Sequence, residues 1–138
     1  MARCSALQNP QFAALESLQQ VGDYWLFACH SVVKPDFSSL QNLPHVGTHW
    51  LAECQGLQTP VFDNMQLVKV KQCWMYNCQV LQKPSFKNMN KLTDVGPQWM
   101  GACDMLLELD FAGNMQLEAK FQQERFAAGS QEVKNATE

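Results

Sequence analysis

The chain has 138 residues, of which 46% are hydrophobic and 17% charged, and its formal net charge at pH 7 is −3. That is enough apolar material for one continuous core in a single domain, and the mildly acidic balance gives no bulk attraction to nucleic acid or to an acidic membrane surface. No stretch approaches the roughly 18 apolar residues of a membrane span, and the first twenty residues do not read as an export signal. Neither membrane insertion nor export is therefore expected, and as written the chain reads as cytoplasmic.

Residues 1–12 read as the back half of a repeat, with Cys4, Leu7, Pro10 and Phe12 in an order that recurs downstream. The same positions return as Cys29/Val32/Pro35/Phe37, Cys54/Leu57/Pro60/Phe62, Cys78/Leu81/Pro84/Phe86 and Cys103/Leu106/Leu109/Phe111. The cysteines step by 25, 25, 24 and 25 residues. No polar cap precedes the first copy, so that end leaves apolar surface for a partner or for self-association.

Residues 13–29, 38–54, 63–78 and 87–103 form the front of each following repeat, and Trp25, Trp50, Trp74 and Trp99 each stand four residues ahead of a cysteine. Leu15/Leu18/Val21 and their copies recur every third residue, which predicts short helical or 3₁₀ turns. The residues after each valine and Pro44 or Pro97 prevent a long helix. The segment after each cysteine ends in the alternation of a short strand, so stacked copies predict a five-strand parallel sheet. Pro10, Pro35, Pro60 and Pro84 shorten its ladder because proline lacks a donor.

A period of 25 is too short for helix-pair repeats and propeller blades and falls within the leucine-rich-repeat range. The run Val-Gly-x-x-Trp-Leu/Met-x-x-Cys-x-x-Leu-x-x-Pro/Leu-x-Phe over residues 4–111 resembles the leucine-rich repeat of the BspA-like (treponemal) type. Tryptophan stands where that family has a small residue, and proline where it has a strand aliphatic. The resemblance implies an α/β fold, a right-handed solenoid with a short parallel sheet on its concave face and helical or 3₁₀ turns on its convex face. It also implies a non-enzymatic protein-interaction module or, as the alternative, a fragment of a surface antigen or adhesin, which would place the chain at the cell surface. A thiol-dependent enzyme is a third reading that no residue pattern supports.

The solenoid is expected over residues 1–113. A capping helix follows over 114–129, where Leu117 and Phe121 lie one helical turn apart ahead of Gly129, and a disordered tail over 130–138.

The tryptophans and ladder cysteines read as core. His30, His45 and His49 share no repeat position and read as surface residues. Cys73-x₄-Cys78 is the nearest approach to a metal-binding pair and lacks a second pair, so neither metal nor cofactor is expected. Binding is expected instead from the residues between the inward-facing strand positions: Asn9, Gln11, Lys34, Asp36, Thr59, Val61, Lys83, Ser85, Glu108 and Asp110. They vary while the scaffold around them repeats, as a protein-recognition row requires. Lys69, Lys71, Lys83, Lys87 and Lys91 bias the third and fourth repeats positive, but without aromatics interleaved on the same face, and nucleic acid is not an expected partner. Cys73, the one cysteine outside the ladder, is expected to be exposed and to offer a route to disulfide-linked dimers.

Overall fold

Two columns of aromatic rings run side by side in the computed structural model, which describes residues 3–4, 6–109, 111–112, 114–127 and 134–135. In one, Trp25, Trp50, Trp74 and Trp99 stack at centroid separations of 5.6, 5.3 and 5.4 Å with planes within 7°. In the other, Phe12, Phe37, Phe62, Phe86 and Phe111 stack at 4.8, 5.3, 5.5 and 5.8 Å. The columns meet edge to face, Phe62 lying 5.1 Å from Trp50 and 5.0 Å from Trp74. Both geometries suit the ring quadrupole.

Trp50, Trp74 and Trp99 are buried, yet their indole N–H groups have no hydrogen-bond acceptor among the described residues. Leaving one N–H unpaired costs about 1–3 kcal/mol. Burying about 150–250 Å² of ring at ~25 cal/mol per Å² contributes about 4–6 kcal/mol. Ring burial therefore outweighs the orphaned donors.

Strands β1 (His45–Val46), β2 (Lys69–Val70) and β3 (Asp94–Val95) pair in parallel, with Val46, Val70 and Val95 in register. Each valine is buried, and the residue before it faces solvent. Lys69 and Asp94 make a 3.6 Å ion pair on that outer face, where side-chain exposures of 50% and 60% leave it little stabilising value.

The sheet thus lies at the valines and not, as the alternation predicts, at the prolines. Along Pro35, Pro60 and Pro84 the ladder shrinks to the isolated parallel bridges Asp36↔Val61 and Val61↔Ser85. Proline removes one donor per step, so only the bonds on either side survive, such as Val61 N–H to Pro35 O at 2.8 Å and Phe62 N–H to Ser85 O at 2.9 Å. Strand β4 (Glu108–Leu109), where leucine replaces proline, pairs with β5 (Lys134–Asn135).

The helical or 3₁₀ turns expected at Leu15/Leu18/Val21 and their copies are not repeated beyond the first copy among the described residues. Only Ala13–Leu15 forms a 3₁₀ turn among the described residues. Elsewhere alternate residues take positive φ: Tyr24, Leu26 and Ala28, then His49, Leu51 and Glu53, then Cys73, Met75 and Asn77, then Gln98, Met100 and Ala102. A left-handed non-glycine residue costs roughly 1–2 kcal/mol. What offsets it is hydrogen bonding between copies, because successive donors turn to opposite neighbours: His49 N–H to Gln72 O, Leu51 N–H to Trp25 O and Glu53 N–H to Tyr76 O.

Helix α1 (Met115–Ala127) starts where Asn114 Oδ1 accepts the Leu117 N–H at 3.1 Å, a side-chain N-cap. Leu117 and Phe121 are buried, and Phe121 packs against Trp99 at 5.6 Å and Phe111 at 5.8 Å, so the helix covers the last ring of each column. At the opposite end Leu15 is 40% exposed and Trp25 half-buried. Most of the tail expected over 130–138 lies outside the described residues; Lys134–Asn135, within it, are paired with β4.

Candidate functional site

The bridges between Asp36, Val61 and Ser85 hold the variable residues of successive copies side by side. Lys34, Thr59 and Lys83 form a neighbouring row, with Thr59 N–H bonded to Val33 O at 3.3 Å and Lys83 N–H to Gln58 O at 3.2 Å. Buried Pro35, Pro60 and Pro84 alternate with these two rows, so both point away from the aromatic columns. At one end Asn9, Gln11, Lys34 and Asp36 line an open groove of about 420 Å³.

Not every member has its polar atoms free. Asp36 Oδ1 accepts the Ser38 N–H at 2.9 Å, and Ser85 Oγ donates to Asp63 Oδ1 at 2.6 Å. Asp63 Oδ1 also accepts the Lys87 N–H. Asp36 and Ser85 therefore brace the backbone, whereas the side chains of Lys34, Thr59 and Lys83 make no hydrogen bond or ion pair among the described residues. Glu108 opens β4, and Asp110 lies outside the described residues.

No protein-family model, curated protein or solved structure matches the chain. The site's chemistry must be read from its own groups.

The thiols lean away from reactivity. Cys54, Cys78 and Cys103 are buried and donate through Sγ to the carbonyls of Leu26, Leu51 and Met75 at 3.0, 3.1 and 3.0 Å. Those carbonyls belong to the left-handed residues of the preceding copy, which gives the cysteine at this position a bonding role as well as a packing one. Burial pushes the Cys54 thiol up to about 12 and the Cys78 thiol well above its ordinary value, and it raises Cys29 as well. A nucleophilic thiol needs the opposite shift. Cys73, expected to be exposed, is half-buried, and desolvation raises its pKa too.

These shifts carry a pH dependence. In the unfolded chain Cys54 and Cys78 ionise near pH 9 while in the folded chain they keep their protons, so the unfolded state binds fewer protons and stability falls as pH rises. For Cys54 the contribution is complete below about pH 9 and is lost up to about pH 12, at about 1.4 kcal/mol per pH unit. Urea melts between pH 8 and about pH 10.5 should show this decline, shallower in Cys54→Ser. An identical slope in the variant would contradict a buried neutral thiol.

A second concavity went unmarked by sequence reasoning. Arg3, Tyr24, Phe27, His49, Glu53 and Tyr76 line an open hollow of about 530 Å³. Tyr24 stacks on His49 at 4.7 Å and meets Phe27 edge-on at 5.3 Å, and Arg3 Cζ lies 5.7 Å from the Phe27 ring centre. His49, expected on the surface, is half-buried, and its Nδ1 has no hydrogen-bond partner among the described residues. The available signal was the succession Phe27, Ala52, Tyr76, Gly101 at one repeat position, large and small in turn. Among the described residues, no three His, Cys, Asp or Glu side chains converge to hold a metal ion, and no helix is long and apolar enough to cross a membrane.

Proposed function

We propose that the chain is a solenoid of the leucine-rich-repeat type that works as a non-enzymatic protein-interaction module, presenting the row from Asn9 to Asp110 to a protein partner. The observation that carries this reading is the parallel bridging of Asp36, Val61 and Ser85, which sets residues of different chemistry in one row above repeating, buried prolines and rings. A rigid support lets each side chain contact a partner with little ordering cost. The upward-shifted thiols favour binding over thiol catalysis, since neutral buried sulfur is a poor nucleophile.

The test uses Lys34, Thr59 and Lys83, because Asp36 and Ser85 also support the backbone. Replacing all three with alanine should abolish recovery of a partner that co-purifies with the wild-type chain, while the melting curve stays within about 0.5 kcal/mol per site. A partner retained by the triple variant, or lost only on Gln98→Ala, would place the contact elsewhere.

A further inference from the structure

We infer that the hollow between Phe27 and Tyr76 is a binding site for a quaternary ammonium group. Phe27, Ala52 and Tyr76 occupy one position in three successive copies, and the middle residue contributes only a fully buried methyl. The two outer side chains therefore stand two copies apart, and both line the hollow. The hollow's volume of about 530 Å³ has room for one tetrahedral ammonium with its methyl groups.

Tyr24 and His49 close one side as a stacked pair inclined at 14°. Glu53 contributes the hollow's one carboxylate and makes no ion pair among the described residues. Aromatic faces and a carboxylate present negative potential, and a methylated ammonium sheds its weak hydration more readily than a bare ammonium does. The chain's own Arg3 guanidinium already lies over the Phe27 face, which shows that this ring accommodates a cation. A ligand would displace it. The site is separate from the row proposed for protein binding and does not depend on that reading.

An amide NMR titration of the full chain with choline, with the amide of trimethyllysine and with the uncharged carbon isostere of choline tests the assignment. Saturable shifts at Tyr24, Phe27, Glu53 and Tyr76 are expected with both cations, and the tighter of the two identifies the source of the group. The isostere should bind at least about threefold more weakly. Glu53→Gln, which keeps side-chain volume, should weaken choline by about threefold or more, and Arg3→Ala should strengthen it by removing the internal competitor. Equal binding of the uncharged isostere, no saturable shift at these residues, or unchanged affinity in a folded Glu53→Gln protein would overturn the assignment.

Discussion

Replacing Trp50 with alanine is expected to destabilise the fold by about 3–5 kcal/mol, the range for deleting a large ring from a core that cannot collapse around the gap. The indole is stacked on both faces, by Trp25 at 5.6 Å and Trp74 at 5.3 Å, and flanked edge-on by Phe37 and Phe62, each at 5.1 Å. Removing it breaks the column in the middle. Trp50→Phe should cost less, because it retains a ring and removes the unpaired indole N–H. Lys34→Ala, in the exposed row, should stay under about 0.5 kcal/mol. Denaturant melts decide between these outcomes, and equal losses for Trp50→Ala and Lys34→Ala would mean that inside and outside had been exchanged.

Gly96→Ala is expected to cost about 1–3 kcal/mol through overpacking against backbone. A Cβ there would lie 2.5 Å from Gln72 N and 2.8 Å from Lys71 C, neither of which can swing aside as a side-chain tip would. Gly47 is held in the same way by the backbone of Asp23, with N and Cα both 2.9 Å from the added carbon. Gly22 belongs to the first of these copies, and a Cβ added there would meet nothing within 4 Å among the described residues, so Gly22→Ala should change stability by no more than about 0.5 kcal/mol. Lys71 stands at the same repeat position, and nothing in the structure explains how its Cβ is accommodated. Melts of the two alanine variants measure whether copies approach through these glycines; equal tolerance would contradict it.

The contrast between Gly22 and Gly96 shows what the sequence carried. Equivalence at 25 residues was legible because every copy must place its valine, tryptophan, cysteine and phenylalanine against those of its neighbours. From it follow the buried rings, the thiol ladder and the side-by-side placement of Lys34, Thr59 and Lys83. Helix α1 was legible from Leu117, Phe121 and the helix formers around them.

Pairing between copies was harder to read, since the same alternation serves a full ladder or single bridges, and prolines left only bridges. The left-handed residues were hidden for a different reason. Tyr24, Leu26, Leu51 and Met100 are side chains that ordinarily avoid positive φ, and bonds from neighbouring copies help to hold this segment there. The aromatic hollow escaped notice because Phe27, Ala52 and Tyr76 look like unrelated substitutions until the copies are set side by side.

Brief alkylation of the native protein at neutral pH, followed by mass spectrometry, tests the stacking of the copies most directly. Cys54, Cys78 and Cys103 are enclosed between neighbouring copies, whereas Cys73 is half-buried. Label should appear on Cys73 while these three remain unmodified, and it should reach them only on unfolding. Labelling of Cys54 and Cys78 at the same rate as Cys73 in the folded protein would contradict the register on which both proposed sites rest.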